Sequence, residues 1–310
     1  MNGEIALRHH LACFDEHIAD PACTEIVVNK PFEYGVESGG EWRWFPAPNL
    51  SFDRLDGIGK LAAGLTHQTL NAHKPRASSV LPGRLRIQIA RPPAVLDGRY
   101  SLTIRKRATD FVPTLDWLAA HGYFDHLPQD RDWVAYWKSA VFHRKTALIA
   151  GATGSSKTTF TEGLGLEIGE DERIVTIEKT PEWNLPHRNL VIALYGASGD
   201  GKEAERAATQ CVEDALRMRP DRILVGELRS GGEAWAFLRA SLAGHPGGLT
   251  TIHGDSTAGA IDALATMMLQ DSSGVTMQDA HIRALIRRSV HIVAHCASKP
   301  YRLTAVEELQ

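Results

Sequence analysis

The sequence predicts a smaller α+β region followed by a larger α/β domain built on a parallel sheet. Three observations lead to this fold class. Strand-like and helix-like segments alternate over residues 1–110. After residue 146, short continuous apolar runs alternate with helical patterns, which is typical of parallel strands covered on both faces. One of these runs leads directly into GATGSSKTT, Gly151 to Thr159, which nearly matches a phosphate-binding loop.

The composition is that of a globular protein with a substantial core. Of the 310 residues, 43% are hydrophobic and 23% are charged, and the net charge of -3 argues against a dedicated nucleic-acid coat. The four cysteines lie far apart without a C-x-x-C pair, which argues against a zinc knuckle or a disulfide scaffold. No apolar run approaches the roughly 20 residues of a membrane span, and the charged N-terminus is unlike a signal peptide. We therefore predict a cytoplasmic protein, with peripheral membrane attachment left open.

Residues 1–110 are predicted to form the N-terminal α+β domain because strand-type alternation and helical spacing both occur there. The segment LDGIGKLAAGLTHQTL, residues 55–70, has apolar residues at helical spacing. Pro31 closes the first predicted strand, and ARPPAVLDGR turns the chain between the last two. The predicted strands are TEIVVN (24–29), EWRWF (41–45), RLRIQIA (84–90) and YSLTIRK (100–106).

A linker is predicted over residues 111–128, and the α/β domain over residues 129–310. The domain begins with a helix around 129–141 and has a second predicted helix at 203–218. Its predicted strands are TALIAG (146–151), RIVTIE (173–178), NLVIALY (189–195), DRILVGE (221–227) and GLTTIH (248–253).

The stretch GATGSSKTT supplies most parts of a phosphate-binding loop. Such a loop works through backbone N–H groups, a helix N-terminus, a lysine and a hydroxyl that binds Mg²⁺. Lys157 and Thr158 match the last two of these parts, but Ser156 stands where the motif has its second glycine. A Cβ there crowds the phosphate and is costly if the backbone is left-handed, although the hydroxyl could also donate a hydrogen bond.

A rival loop, GASGDGKE at residues 196–203, has both glycines and the lysine of the same motif. Its Glu203 removes the Mg²⁺ hydroxyl and places a carboxylate where it would repel a bound triphosphate. A turn that caps the following helix explains this segment better, so the first loop is the predicted nucleotide site.

Acidic and histidine side chains follow three of the predicted strands. Glu227 could polarise water for attack on a γ-phosphate, and Glu178 could hold Mg²⁺ or orient that water. His253 could sense the γ-phosphate through a ring N–H. Each residue taken alone is also explained as a charged or polar group at a strand end.

Arg86 and Arg105 belong to a basic stretch between residues 84 and 107. Arginine forks suit phosphate oxygens, which makes these residues candidates for nucleotide contact. A solvated basic face, or a face that touches anionic lipid, explains the same stretch.

The ordered set of motifs carries more information than any member. GATGSSKTT, then RIVTIEKTPEW, then ALRMRPDRILVGELRSGGEAWAFLRASLAGHPGGLTTIHGDS closely resembles the type IV secretion traffic ATPases, part of the wider superfamily of secretion and pilus motor ATPases. The resemblance is strongest over residues 146–270. It implies a RecA-like P-loop ATPase domain after a smaller N-terminal domain, and a homohexameric ring on the cytoplasmic face of a bacterial inner membrane, with nucleotide held between the domains.

The resemblance also assigns roles to single residues. Besides the phosphate loop, it matches Glu178 to an acidic box, Glu227 to the second Walker motif, and His245 and His253 to a histidine box. Arg86 and Arg105 match arginines that reach the nucleotide, and Arg229 matches an arginine that follows the Walker glutamate. The predicted catalytic residues are Lys157, Glu178, Glu227, His253, Arg86 and Arg105, and the predicted Mg²⁺ ligands are Thr158, Glu178 and Glu227. The predicted ATP-binding residues are Gly151, Ala152, Thr153, Gly154, Ser155, Ser156, Lys157, Thr158 and Thr159.

Two positions depart from the family pattern. Ser156 replaces a glycine, which could lower ATP affinity or turnover, and Lys179 replaces an aspartate after Glu178, which removes negative charge near the metal. Three functions follow as hypotheses: an ATP-hydrolysing hexameric motor for substrate export or pilus assembly, a ring scaffold that binds nucleotide without hydrolysing it, and a DNA translocase or pilus-retraction motor. The implied partners are further copies of the chain, inner-membrane secretion channel proteins, and a secreted protein or DNA–protein substrate.

Overall fold

The computed structural model describes residues 2–83, 85–106, 112–195, 202–270, 277–298 and 300–309. The chain divides into two units, Met1–Phe111 and Val112–Gln310. Within the described ranges, no helix combines the length and the apolar character that a membrane span requires.

Antiparallel strands form the sheet of the first unit. Among the residues described there, the sheet has six strands in the order β3-β2-β1-β6-β5-β4. Buried residues alternate with more exposed ones along β5, as expected for a sheet with a single covered face. The strands are β1 (Cys23–Val28), β2 (Glu33–Ser38), β3 (Glu41–Pro46), β4 (Arg76–Leu81), β5 (Leu85–Ala90) and β6 (Ser101–Arg105).

Helices supply the other half of the core of the first unit. Leu7, Leu55 and Ile58 from two of these helices pack with Ile26 and Ile87 from the sheet. Ser51 begins the longest helix, since its hydroxyl accepts a hydrogen bond from the backbone N–H of Arg54. The helices are α1 (Asn2–Leu11), α2 (Asp15–Ala19) and α3 (Phe52–Leu65), with a 3₁₀ turn at Ala12–Phe14.

A mostly parallel sheet forms the second unit. Over its described residues the strand order is β13-β12-β7-β11-β10-β8-β9, and the pair β12 and β13 is antiparallel whereas the other neighbours are parallel. The strands are β7 (Ala147–Gly151), β8 (Ile174–Glu178), β9 (Leu190–Leu194), β10 (Arg222–Leu228), β11 (Leu249–Ile252), β12 (Ile292–Ala297) and β13 (Arg302–Glu308).

Two apolar cores cover the two faces of this sheet. Leu148 and Ala150 of β7 point into the core that α7, α8, α9 and α10 complete, whereas Ala147 and Ile149 point into the core that α4, α5 and α6 complete. This burial on both faces is why the strands read as continuous apolar runs. The helices are α4 (Leu115–Ala120), α5 (Trp133–Phe142), α6 (Lys157–Leu166), α7 (Lys202–Arg217), α8 (Gly231–Leu242), α9 (Thr257–Gln270) and α10 (Asp279–Ser289).

The five strands predicted for the α/β domain all form, within one or two residues of the expected bounds. The structure also contains β2, β4, β12 and β13, which were not predicted. Within the predicted linker (111–128), the described residues 112–128 differ from a linker, because Leu115, Leu118 and Tyr123 are buried in the core of the second unit. The sequence signals for a break there, Pro113 and Gly122, mark the ends of a short packed helix instead.

A buried ion pair lies at the amino end of β10. The Arg222 side chain is only 1% exposed, and its Nε and Nη2 donate to the Glu172 carboxylate at 3.0 and 2.9 Å. Nη2 also donates to the carbonyl of Val141 at 2.8 Å. Burial raises the pKa of Glu172, but the hydrogen bonds and charge of Arg222, with Arg144, outweigh it and hold that pKa below its usual value.

We expect Glu172→Gln to lower the free energy of unfolding at pH 7 by about 3 kcal/mol, because it leaves a buried guanidinium without its counter-ion. A lowered folded-state pKa stabilises the fold above the unfolded pKa of about 4.3 and loses that effect as the pH falls through the folded pKa. The difference between the two proteins should therefore shrink below about pH 4. Urea unfolding at several pH values measures it.

The matched control is Glu170→Gln, which changes an exposed carboxylate in the preceding turn. It should stay within about 0.5 kcal/mol of the unmodified protein. Equal destabilisation by both changes would contradict the role given to the buried pair.

Candidate nucleotide-binding site

The predicted functional residues of the second unit meet at the carboxyl ends of its parallel strands. Gly151 ends β7, Glu178 ends β8, Glu227 is the next-to-last residue of β10, and His253 directly follows β11. These four strands are neighbours in the order β7-β11-β10-β8. Ligands of open α/β sheets bind outside this edge, so the sheet brings the four motifs to one candidate site.

The phosphate loop runs from Gly151 to the start of α6 and depends on its glycines. A Cβ on Gly151 would lie 2.3 Å from the Ser155 hydroxyl oxygen and 2.4 Å from the carbonyl oxygen of Cys296, so no larger residue fits. Gly154 has φ +72°, a left-handed conformation that glycine adopts without strain. Because α6 begins at Lys157, the first amide N–H groups of the helix face the loop without helical partners, as an anion site requires.

Ser156, the departure from the motif, is in the left-handed conformation with φ +65° and ψ +17°. A residue with a Cβ pays about 1–2 kcal/mol for this conformation, so the position is one that favours glycine. Its hydroxyl is already engaged: it lies 2.9 Å from the Tyr123 hydroxyl and donates to the carbonyl of Ser155. The serine is therefore strained, and its oxygen is bound within the protein.

The Lys157 ammonium lies against the carbonyl oxygens of its own loop. It donates to Gly151 at 2.9 Å and to Ala152 at 2.8 Å, and its side chain is buried. Burial lowers the pKa of Lys157, and the charge of Glu227 acts in the opposite direction. A buried cation at a helix N-terminus gives the loop the positive charge that phosphate oxygens need.

The two glutamates of the acidic segment have different environments. The Glu178 carboxylate is 2% exposed and accepts hydrogen bonds from the Thr176 hydroxyl at 2.8 Å and from the backbone N–H groups of Glu182 and Trp183 at 2.5 and 3.2 Å. Burial raises the pKa of Glu178, although these hydrogen bonds lower it. The carboxylate that reaches the phosphate loop is that of Glu182, whose Oε2 accepts from the Thr158 hydroxyl at 3.4 Å. Glu178 therefore shapes the turn that presents Glu182.

Glu227 lies between a histidine and an arginine. Its Oε1 is 2.9 Å from Nε2 of His253, and its Oε2 accepts from Nε and Nη2 of Arg229, both at 2.5 Å. Arg229 is fixed in turn by the start of α8, where its backbone N–H donates to Glu233 at 2.6 Å. The hydroxyl of Tyr195 donates to the other oxygen of Glu233 at 2.6 Å, so a continuous chain of polar contacts holds the orientation of Glu227.

The remaining predicted residues do not belong to the carboxyl ends of these strands or to the loops that follow them. Arg86 and Arg105 belong to the first unit, where they are directly paired on β5 and β6 and Arg105 donates to Glu25 at 2.7 Å. His245, matched to the histidine box, lies at the other end of the sheet, where its Nδ1 is 3.1 Å from the carbonyl oxygen of Pro220 beside the amino end of β10. Most of the rival loop, residues 196–201, lies outside the described residues.

The oxygen ligands near Thr158 suit Mg²⁺. In the part of the chain that the structure describes, no group of three or more His, Cys, Asp or Glu side chains forms a metal cage. Mg²⁺ bound with a nucleotide does not need one, because it keeps water ligands and takes one or two protein oxygens besides the phosphates. The Thr158 hydroxyl and the Glu182 carboxylate provide such oxygens at the start of α6. Glu178, predicted as a metal ligand, has its carboxylate turned to internal donors instead.

Sequence reasoning missed three residues that the structure places at or below the site. Glu182 is the second glutamate of EKTPE and lies four residues after Glu178, so the sequence shows a second carboxylate of the same kind. Glu233 belongs to the S-x-x-E pattern of a capping box with Ser230, which the sequence could have indicated. Tyr123 carried no such signal, because only the fold brings it beneath Ser156.

Comparison with known proteins identifies the family. The family model described as "Type II/IV secretion system protein" matches residues 123–305. The type IV secretion system protein VirB11 of Bartonella quintana is 35% identical in an alignment of 306 residues that covers 90% of this chain and 85% of that protein. A crystal structure of the VirB11 ATPase from the Brucella suis type IV secretion system in complex with sulphate is 32% identical, covers 99% of this chain and 95% of that one, and superposes with a TM-score of 0.52.

A more distant structure agrees in fold. The X-ray structure of the Legionella pneumophila ATPase DotB superposes with a TM-score of 0.67 at 18% sequence identity, over 94% of this chain and 78% of that one. The mixed α/β sheet of the second unit is therefore shared with structures of secretion ATPases.

We expect the two glutamates of the acidic segment to respond differently to substitution. Glu178→Gln should lower the free energy of unfolding by about 1–3 kcal/mol, because an amide nitrogen cannot accept the hydrogen bonds that the buried carboxylate now receives. Glu182→Gln should leave stability within about 0.5 kcal/mol but reduce ATP hydrolysis by about 100-fold, because it removes charge beside Thr158. Urea unfolding and phosphate release measure the two effects, and the opposite assignment of effects would contradict this division of roles.

Proposed function

This chain belongs to the type II/IV secretion system protein family, and we propose that it is the ATP-hydrolysing motor of a bacterial type IV secretion system. One observation carries the proposal. The phosphate loop, the Thr158–Glu182 contact and the ion-paired Glu227 lie at one edge of a parallel sheet, where a nucleoside triphosphate and a water molecule can meet. The family resemblance extends over both units rather than over the loop alone.

The phosphate loop binds the β- and γ-phosphates. Free amide groups at the start of α6 point at the phosphate oxygens, and the Lys157 ammonium exchanges its carbonyl partners for them, since hydrogen bonds between charged groups are stronger. The Thr158 hydroxyl and Glu182 hold Mg²⁺. When bound, Mg²⁺ supplies the positive charge that neutralises the phosphates during transfer.

Two carboxylates position the water that attacks the γ-phosphate. Both oxygens of Glu227 accept hydrogen bonds from His253 and Arg229, so this residue has a fixed orientation and positions water at the γ-phosphate. Glu182 assists from the side of Thr158, in the role that the sequence assigned to Glu178. His253 links Glu227 to the strand end of β11 and can report loss of the γ-phosphate to that loop.

Family membership supports a proposal for the wider assembly. We assign this chain to a homohexamer, peripheral on the cytoplasmic face of the inner membrane, that delivers work to channel proteins and moves a protein or DNA–protein substrate. Arg86 and Arg105, side by side on neighbouring strands, are the residues of the first unit proposed to reach the nucleotide. The basic face around them could also contact anionic lipid.

A second function, a ring component that binds nucleotide without hydrolysing it, is favoured by the left-handed Ser156. Phosphate release from the purified protein separates the two functions, with Ser156→Gly as the control that restores the motif. If neither protein releases phosphate, the scaffold is correct. The DNA translocase alternative has only the superfamily in its favour, and tight salt-dependent DNA binding would support it.

We expect Lys157→Ala to abolish ATP hydrolysis while the fold persists, because the loop loses the cation that holds the phosphates. Steady-state phosphate release and far-UV circular dichroism measure activity and folding. Lys138→Ala, which removes a partly exposed lysine paired with Asp116 on the surface, is the matched control and should keep full activity. Unchanged turnover in the Lys157 variant would remove this assignment.

A further inference from the structure

Tyr123 joins the strained residue of the phosphate loop to the core of the second unit. Its hydroxyl lies 2.9 Å from the Ser156 hydroxyl and 3.3 Å from the Cys296 sulfur. Cys296 belongs to β12, and its Cα is paired with that of Gly151, the first residue of the loop, on β7. The tyrosine hydroxyl therefore lies between the last residue of the loop and the strand that packs beside its first.

The position of the Tyr123 ring is itself fixed. The ring stacks on Phe160 of α6 at a centroid distance of 5.5 Å and meets Phe124 edge to face at 5.6 Å. The carbonyl of Tyr123 accepts a hydrogen bond from the backbone N–H of Leu303 at 2.8 Å. Since both the ring and the backbone are anchored, the hydroxyl is a rigid point from which the loop can be held.

The groups in this contact are neutral. Burial raises the pKa of the Tyr123 phenol well above its usual value, with the neighbouring Cys296 acting in the same direction. Burial also raises the pKa of the Cys296 thiol to about 12. Near neutral pH the contact is therefore an uncharged hydrogen-bond chain in a closed environment, where hydrogen bonds are stronger than in water.

We propose that Tyr123 is a positioning residue for nucleotide binding, whose hydroxyl holds Ser156 in the left-handed conformation that aims the loop amides at the phosphates. The inference rests on the proposed nucleotide site. Glycine adopts φ +65° freely, whereas serine is strained there, and the hydrogen bonds that its hydroxyl makes offset that strain. The departure at Ser156 is thus compensated within this chain, so it does not by itself silence the loop.

The test compares two substitutions at Ser156 with one at Tyr123. Ser156→Ala keeps the Cβ and the strain but removes the hydroxyl, whereas Ser156→Gly removes both. We expect Tyr123→Phe to weaken binding of a fluorescent ATP analogue by about fivefold, the value of one hydrogen bond, and Ser156→Ala to weaken it at least as much. The double variant should lose no more than Ser156→Ala alone, because the contact with Tyr123 is already absent there.

In the Ser156→Gly background the contact has no function, so Tyr123→Phe should change the affinity by less than about twofold. Tyr34→Phe is the matched control, because it removes a buried tyrosine hydroxyl that lies 3.1 Å from Nε2 of His17 in the first unit. It should leave nucleotide affinity unchanged. An equal loss from Tyr123→Phe in the unmodified protein and in the Ser156→Gly background, or additive losses in the double variant, would overturn the proposal.

Two measurements test the positioning role of Tyr123 separately from the proposed ATP hydrolysis. Binding affinity is measured without hydrolysis, so a protein that binds ATP but does not turn it over still tests the positioning role. Urea unfolding of the same single and double variants is the second measurement. The losses of unfolding free energy caused by Tyr123→Phe and Ser156→Ala should again be non-additive. Failure of the unmodified protein to bind nucleotide would contradict the proposed function, whereas additive unfolding effects would contradict the contact.

Discussion

The parallel pairing of β7, β11, β10 and β8 is the constraint on which the candidate site depends. The carboxyl ends of neighbouring parallel strands lie side by side, so residues about a hundred positions apart in the chain come close together. Each strand contributes a different chemical group there: a phosphate loop, a histidine, an ion-paired glutamate and an acidic turn. The sheet can do this because apolar residues on both faces bury it between two helical layers.

Charge compensation decides what each acidic residue can do. Glu178 turns into the protein, where its carboxylate satisfies one hydroxyl and two backbone amides, so it has a structural role. Glu227 is held by a histidine and an arginine that are themselves positioned. Glu182 contacts Thr158, the hydroxyl beside the loop lysine. Three carboxylates at the carboxyl ends of these strands thus have three different sets of partners.

The serine in the phosphate loop shows how a local departure can be accommodated. In the turn from β7 into α6, position 156 has a left-handed backbone, which strains a residue that carries a Cβ. Glycine would not be strained there. A serine is strained, but its hydroxyl lies within hydrogen-bond distance of the hydroxyl of a tyrosine that the fold holds in place. The same chain therefore contains the strain and the contact that reduces it, which links the behaviour of the loop to a segment that no motif marks.

The sequence alone determined the α/β class and the four motif-bearing strands, and it predicted GATGSSKTT as the phosphate loop, because continuous apolar runs and motif spacing are local properties. It also predicted Lys157, Thr158, Glu227 and His253 as site residues, and each lies at or after the carboxyl end of a strand. Only the tertiary structure decided that Glu182 rather than Glu178 reaches the loop, that His245 lies at the opposite edge, and that residues 115–127 pack into a core. These outcomes depend on which way a side chain turns and on what another part of the chain brings to it, and neither is encoded in the spacing of residue types.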